Sequence, residues 1–427
     1  MSTLAAQAPT AAREERRNRL RFALLLGALG LILLSFVRQV TSATDLTSSG
    51  TFAATVRVSM PILLAGLGGL YAERAGIVNI GLEGMMILGT WFGAWAGWHF
   101  GAWPGVFAGL LGGAAGGLIH AVATVTFGID HIVSGVAINI LAAGVTRFLS
   151  VIAYTNVPGA GITQSPQVRG SIPEVNVPFL AGGHPFGLGT PDLLGWLERR
   201  HWFLISDAGG LLKGLTSNIS WLTILAVVLV PVTYWILWRT AFGLRLRSVG
   251  EHPVAAESLG VPVYRMKYIA VVISGALAGL AGAFLVIEEA GIYREGQTAG
   301  RGFIALAALI FGNWRPSGVL VGAGLFGYAD ALQLRSNRSI LALLLFIAIG
   351  LVFAAVWLLV RRRTAPALAA LVVAGLMFWW HTVADKVANE FVAITPYVVT
   401  LLVLALAAQR LRPPAADGRP YRKGQAL

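Results

Sequence analysis

Asn79 and Glu83 stand four residues apart in the stretch Tyr71-Ala-Glu-Arg-Ala-Gly-Ile-Val-Asn-Ile-Gly-Leu-Glu-Gly-Met-Met86. That spacing puts both side chains on one face of a helix. Their neighbours are apolar, and an ionisable group at membrane depth is by default a functional hypothesis. Gly76, Gly81 and Gly84 predict a helix start or break of the kind found at transporter sites. Glu83 serves either a translocation path or a hydrogen bond to a neighbouring helix, and the spacing leaves both open. His120, Ser134, Asn139, Arg147 and Asp330 are further polar residues within apolar runs. Ser134 and Asn139 join Asn79 and Glu83 as candidate path residues. His120 lies in a Gly-rich helix and reads as a packing histidine. Arg147 and Asp330 map to the outer third of their spans, where they are expected to pair.

Two more stretches are informative. Thr240-Ala-Phe-Gly-Leu-Arg-Leu-Arg-Ser-Val-Gly-Glu-His-Pro-Val-Ala-Ala-Glu-Ser-Leu-Gly260 predicts a short helix from about Pro253 to Leu259, with Pro at its start and Gly260 at its end. Such a helix between two spans either inserts into a groove on a partner or belongs to an ordinary basic loop. Gly302-Phe-Ile-Ala-Leu-Ala-Ala-Leu-Ile-Phe-Gly-Asn-Trp-Arg-Pro316 is a short apolar run ending at a polar turn, like the interrupted spans of translocation paths. Absences narrow the chemistry. None of the lysines (Lys213, Lys267, Lys386 and Lys423) follows a glycine, which excludes a P-loop ATPase. The chain has no H-E-x-x-H, no G-x-S-x-G and no cysteine, so a zincin protease, a hydrolase elbow and a thiolate metal site have no support. No catalytic pair emerges, and neither a metal nor a cofactor is expected.

These residues must be held by spans. Apolar residues make up 56% of the chain and charged ones 12%, about half the charged share of a soluble domain. Apolar runs at 20–40, 53–71, 77–98, 103–127, 132–153, 219–238, 268–288, 302–313, 317–334, 339–360, 364–381 and 391–409 alternate with polar punctuation. Most approach the ~20 residues that cross a bilayer as a helix. The run at 302–313 is too short, which predicts a broken or re-entrant segment. The fold class is therefore an all-α polytopic membrane protein with about 10–12 transmembrane helices, the short segment and a cytoplasmic helix. The net charge of +13 comes from Arg-rich segments beside the spans, such as Arg239, Arg245, Arg247 and Arg361 to Arg363. This reads as topogenic charge rather than a nucleic-acid surface and places both termini in the cytoplasm. The expected organisation is a basic arm at 1–19, a transmembrane region at 20–410 and a cytoplasmic tail at 411–427. Within it lie an extracytoplasmic loop at 154–218, a cytoplasmic loop at 239–267 and a helical hairpin at 339–388. The 154–218 loop, with a short amphipathic helix near Pro191 to Trp202, is either a solvated connection or a docking surface. Glycines at four-residue spacing (Gly89, Gly93, Gly97; Gly109, Gly113, Gly117; Gly275, Gly279) predict close helix crossings.

The segments "ERAGIVNIGLEGMM" and "FGLRLRSVGEHPVAAESLGV" together resemble the permease family of nucleoside and simple-sugar ABC importers, related to ribose and branched-chain amino-acid permeases. The resemblance runs from about Pro61 to Leu334 and resumes at Pro396-Tyr397 and at Gly418-Arg-Pro-Tyr-Arg-Lys-Gly424. It implies a bacterial cell-membrane subunit that carries no covalent chemistry and works by alternating access. Implied partners are cytoplasmic ABC ATPase subunits, a second permease subunit (a paralogue or another copy), an extracytoplasmic solute-binding protein and the lipid bilayer. It also implies that the 240–266 loop meets the ATPase through Gly250, Glu251, Ala255, Ala256 and Gly260. The N-terminal arm and first span, and the 339–388 hairpin, depart from the family pattern. The competing expectations are an ion-coupled secondary transporter or channel, which needs a carboxylate relay built on Glu83 and Asp330, and a membrane enzyme.

Overall fold

A computed structural model describes residues 21, 25, 27–183, 189–333, 335, 337–384 and 411–424. The basic arm and the span expected at 391–409 lie outside the described residues. Among the described residues the chain is all-α apart from one two-residue strand pair. Its helices are α1 (Gly27–Thr41), α2 (Ser49–Arg74), α3 (Leu82–Phe100), α4 (Ala102–Ala121), α5 (His131–Tyr154), α6 (Leu193–Glu198), α7 (Ile205–Gly214), α8 (Trp221–Arg239), α9 (Ala241–Glu251), α10 (Pro253–Ser258), α11 (Val263–Phe284), α12 (Arg301–Phe311), α13 (Pro316–Gln333), α14 (Asn337–Val360) and α15 (Thr364–Val383). The last turns of α4 and α11 widen into π-helix at Val122–Thr126 and Leu285–Ala290. Among the described residues seven helices are long and apolar enough to cross a membrane: α2, α4, α5, α8, α11, α14 and α15. The protein is a multi-pass membrane protein.

The short run is a half-helix. The 11 residues of α12 reach about 16 Å at the α-helical rise, half of a bilayer core. Asn313 and Trp314, both at positive φ, then turn the chain into α13.

The described chain divides into two compact units. The larger comprises residues 54–175, 218–330 and the 411–424 tail. Its centre is the mutual crossing of α3, α4 and α11 at the glycine stripes. A Cβ on Gly89 would lie 2.2 Å from the Gly279 carbonyl oxygen, and one on Gly113 would lie 2.2 Å from that of Gly275. Backbone meets backbone there, the packing that small residues allow in lipid. The smaller unit comprises 27–53, 176–217 and 331–384. It holds α1, the α6–α7 pair and the α14–α15 hairpin. Its polar centre is Asp207, fully buried, which pairs with Arg38 at 3.1 Å and accepts the Thr47 hydroxyl and the Leu204 N–H.

Candidate functional site

The Tyr71–Met86 stretch is a buried break between α2 and α3, residues 75–81. Gly76 takes a positive φ of 78°, which turns the chain out of α2. A non-helical segment at membrane depth must have its backbone groups satisfied by protein. The side chains around it do this. Asn139 on α5 donates from Nδ2 to the Ile80 carbonyl at 3.1 Å and accepts the Gly84 N–H at 2.7 Å. The His120 ring on α4 lies 3.2 Å from the Val78 carbonyl and 2.9 Å from the Ser134 hydroxyl, so one ring nitrogen donates while the other can accept. Asn79 is fully buried and donates to the Ser274 hydroxyl on α11 at 2.9 Å. Its Oδ1 finds no partner among the described residues.

Glu83 sits in the first turn of α3 and is 7% exposed. Its two carboxylate oxygens accept the N–H groups of Gly300 at 3.0 Å and Gly302 at 2.7 Å. These belong to the N-terminus of α12, where the first N–H groups have no partner within the helix. A carboxylate there is also favoured by the helix dipole. The structure thus brings Asn79, Glu83, Ser134 and Asn139 to one junction, each held by protein. Arg147 and Asp330 do not pair with each other. Arg147 reaches Glu295 at 3.3 Å and Asp330 reaches Arg301 at 3.5 Å, because the 291–300 connection and the start of α12 supply nearer partners. Glu83 caps α12 and Asp330 pairs with Arg301, so the two carboxylates of the competing ion-relay expectation engage different partners.

The second cluster joins the α9–α10 segment, the foot of α2 and the C-terminal tail. Pro253 opens α10, and Gly260, at φ 81°, follows it in the left-handed region. Ala256 is buried beside Val249, Val263 and Met266, with Tyr421 packed against the group. Ala255, Ser258 and Leu259 face outward, Leu259 with 85% of its surface exposed. Gly250 lies flat on the α2 terminus, where a Cβ would fall 2.2 Å from the Arg74 carbonyl oxygen. Arg74 donates to the Trp314 carbonyl at 2.6 Å, and the Trp314 indole donates to Glu73.

The tail is a further component, whose contacts the sequence did not disclose. The N–H of Ala416 donates to the Gly250 carbonyl at 2.9 Å and that of Ala415 to Glu251 at 3.2 Å. The Arg412 N–H donates to Asn313 at 2.9 Å, and the Tyr421 hydroxyl donates to Glu257. Burial pushes the Asp417 carboxyl up to about 7, although the Gly418 N–H, Lys267 and Arg74 all pull it down. The "GRPYRKG" match signalled that this segment mattered, but not what it touches.

An apolar cleft of about 190 Å³ between α3, α4 and α5 is lined by Leu88, Phe92, Ile119, Ile138, Leu141 and Val145 among others. Its lining is almost wholly apolar and offers a polar solute little to bond.

One break between α2 and α3, a half-helix and an exposed short helix accompany the crossing-helix core of a multi-pass membrane protein. Residues 51–350 match the family of branched-chain amino acid transport system permease components, and the chain belongs to that family. It is similar to the guanosine ABC transporter permease protein NupQ of Bacillus subtilis, at 34% identity over 87% of this chain and 96% of the relative. The nucleoside ABC transporter permease protein NupC of Lactococcus lactis is 31% identical over 86% and 95%. The putative glucose ABC transporter permease protein TsgC13 of Haloferax volcanii is 36% identical over 69% and 80%. No solved structure matches the chain. The chain is an ABC importer permease subunit, a transport component rather than an enzyme.

Proposed function

We propose that this permease imports nucleosides or closely related sugar-bearing solutes across a bacterial cell membrane, with both termini in the cytoplasm. Two relatives named for guanosine and nucleoside transport align over more than four fifths of the chain, which supports that solute class. The path runs along the junction of the α2–α3 break and α12. Glu83, Ser134 and Asn139 shape its wall, and Asn79 keeps hydrogen-bonding capacity. Gly250, Glu251, Ala255, Ala256 and Gly260 form the coupling segment, whose outward face with Leu259 docks on a cytoplasmic ATPase subunit. A second permease subunit completes the path, and an extracytoplasmic binding protein delivers the solute.

One observation carries the coupling reading. Gly250, in the last turn of α9 just ahead of α10, is in backbone contact with the turn that leads into Asn79 and Glu83, so a displacement of the α9–α10 segment bears on the break. The test is uptake of radiolabelled guanosine by proteoliposomes holding this chain with its ATPase, second permease subunit and binding protein. ATP should drive accumulation. Uptake driven by an ion gradient with no ATP would overturn the reading. So would labelling of a Leu259→Cys variant by an impermeant maleimide from outside intact cells.

A further inference from the structure

We propose that the α6–α7 hairpin is an interfacial lipid anchor, lying in the head-group and upper acyl region of the bilayer rather than in water. The anchor is read from an inverted amphipathic pattern. A helix on a protein surface in water buries its apolar side chains and exposes its polar ones. Helix α7 does the reverse. Its buried residues are Ser206, Asp207, Gly209, Gly210 and Gly214, while Ile205 and Leu212 face outward. Leu193 and Trp196 of α6, and Trp202 and Phe203 of the connection, are also exposed, all four by between 44% and 51%.

The inward polar groups are satisfied within the protein, so the inversion is a finished arrangement. Asp207 holds Arg38 and Thr47. The Ser206 hydroxyl donates to the Leu197 carbonyl at 2.8 Å and accepts the Trp202 N–H at 2.8 Å. Lys213 reaches Asp192 at 2.7 Å. Burial pushes the Asp192 carboxyl up, but Lys213 and the Gly195 N–H outweigh it and hold it below the ordinary range. A face for transient docking would spend much of its time in water, where a contiguous set of aromatic and aliphatic side chains is a liability. Permanent apolar surroundings remove that penalty.

Two observations select lipid as the occupant. The hairpin is fixed at the end of a span: a Cβ on Gly214 would lie 2.5 Å from Phe52 Cβ, and one on Gly210 would lie 2.4 Å from the Thr47 carbonyl, where α2 begins. That end is where hydrocarbon gives way to head groups. The outward face also mixes tryptophan with arginine, the Arg200 guanidinium standing 4.7 Å over the Trp196 ring and Arg199 exposed beside it. Amphipathic aromatic and basic side chains of this kind concentrate at the membrane interface. Arg199 and Arg200 are placed to meet lipid phosphates.

The chain has no cysteine, so single-site labelling needs no prior substitution. Nitroxides on Trp196→Cys, Phe203→Cys and Leu212→Cys, in the full chain in nanodiscs of phosphatidylcholine and phosphatidylglycerol, should be more accessible to oxygen than to a water-soluble nickel chelate. The expected depth is about 5–10 Å below the phosphates. A label on the exposed Gln167→Cys should show the opposite preference. Each labelled position is exposed, so folding is not at stake. Nickel access at all three positions would overturn the anchor. Nickel access that disappears only when the solute-binding protein is added would overturn it in favour of protein docking.

Discussion

At the residue scale, Glu83 illustrates how a buried carboxyl in a transporter takes a structural assignment. Both of its oxygens accept backbone N–H groups of α12, and hydrogen bonds to a charged group contribute about 1.5–3 kcal/mol each. Glu83→Ala should therefore lower the stability of the purified protein by about 3 kcal/mol, since it also strands two donors in a buried site. Glu83→Gln keeps one acceptor oxygen and should lose less than half as much. Thermal unfolding in detergent measures both, and an unchanged melting temperature for the alanine variant would remove Glu83 from the junction. The break was legible from Gly76, Gly81 and Gly84, but the four-residue spacing predicted Asn79 and Glu83 on one helical face, whereas Asn79 lies in the break ahead of α3 and only Glu83 is helical. The spacing did not reveal that Asn139 and His120, far away in the sequence, complete the backbone bonding of the break. Those partners are set by tertiary packing and leave no local pattern.

At the element scale, the helices themselves were readable. Apolar length, the shortness of α12 and the Pro253 and Gly260 boundaries of α10 each have a local cause that the sequence displays. The tail has none: it is short, polar and without periodicity, and its order comes from Gly250, Asn313 and Glu257. It ties the α9–α10 segment to the foot of α2. Ala416→Pro removes the N–H that donates to Gly250 while leaving the side-chain contacts. The permease should still assemble with its ATPase, while guanosine uptake falls about tenfold, the effect of ~1.4 kcal/mol, and ATP hydrolysis continues. Loss of assembly and uptake together would make the tail a mere folding element. Docking should also depend on pH. The groups facing Asp417 are Glu73, Arg74 and Lys267. Because burial raises the Asp417 carboxyl to about 7 from about 3.9 in a free chain, the docked form binds the proton more tightly. Docking is strongest below the free value and weakens as pH rises through 7. A nitroxide on Lys423→Cys should grow more mobile from pH 5 to pH 8, and Asp417→Asn should abolish that change. A pH response that persists in Asp417→Asn would assign it to another group.

At the scale of the whole molecule, the chain places two differently built units in one membrane protein. The larger depends on glycine crossings among α3, α4 and α11, anticipated from four-residue spacing. The smaller gathers the first span, the hairpin of α14 and α15 and part of the 154–218 loop, segments that were expected to lie outside the family pattern or to be a variable connection. The contact of α1 with α7 was not legible, because it rests on polar side chains from distant segments. Asp207 is the centre of those contacts, with Arg38, Thr47 and the Leu204 N–H all directed at it. Removing one partner of a buried ion pair strands the other and costs about 3–5 kcal/mol. Asp207→Ala leaves the Arg38 guanidinium, with 9% of its side chain exposed, without its counter-charge. Hydrogen exchange should then accelerate in 27–53 and 193–214 by two or more powers of ten, since each ~1.4 kcal/mol is a factor of ten in an opening equilibrium. Exchange in α3, α4 and α11 should not change, because their packing uses none of the same side chains. Equal acceleration in both units would mean that the molecule opens as one cooperative body. Restored protection in an Arg38→Met, Asp207→Ala variant would identify the stranded charge, rather than lost packing, as the cause.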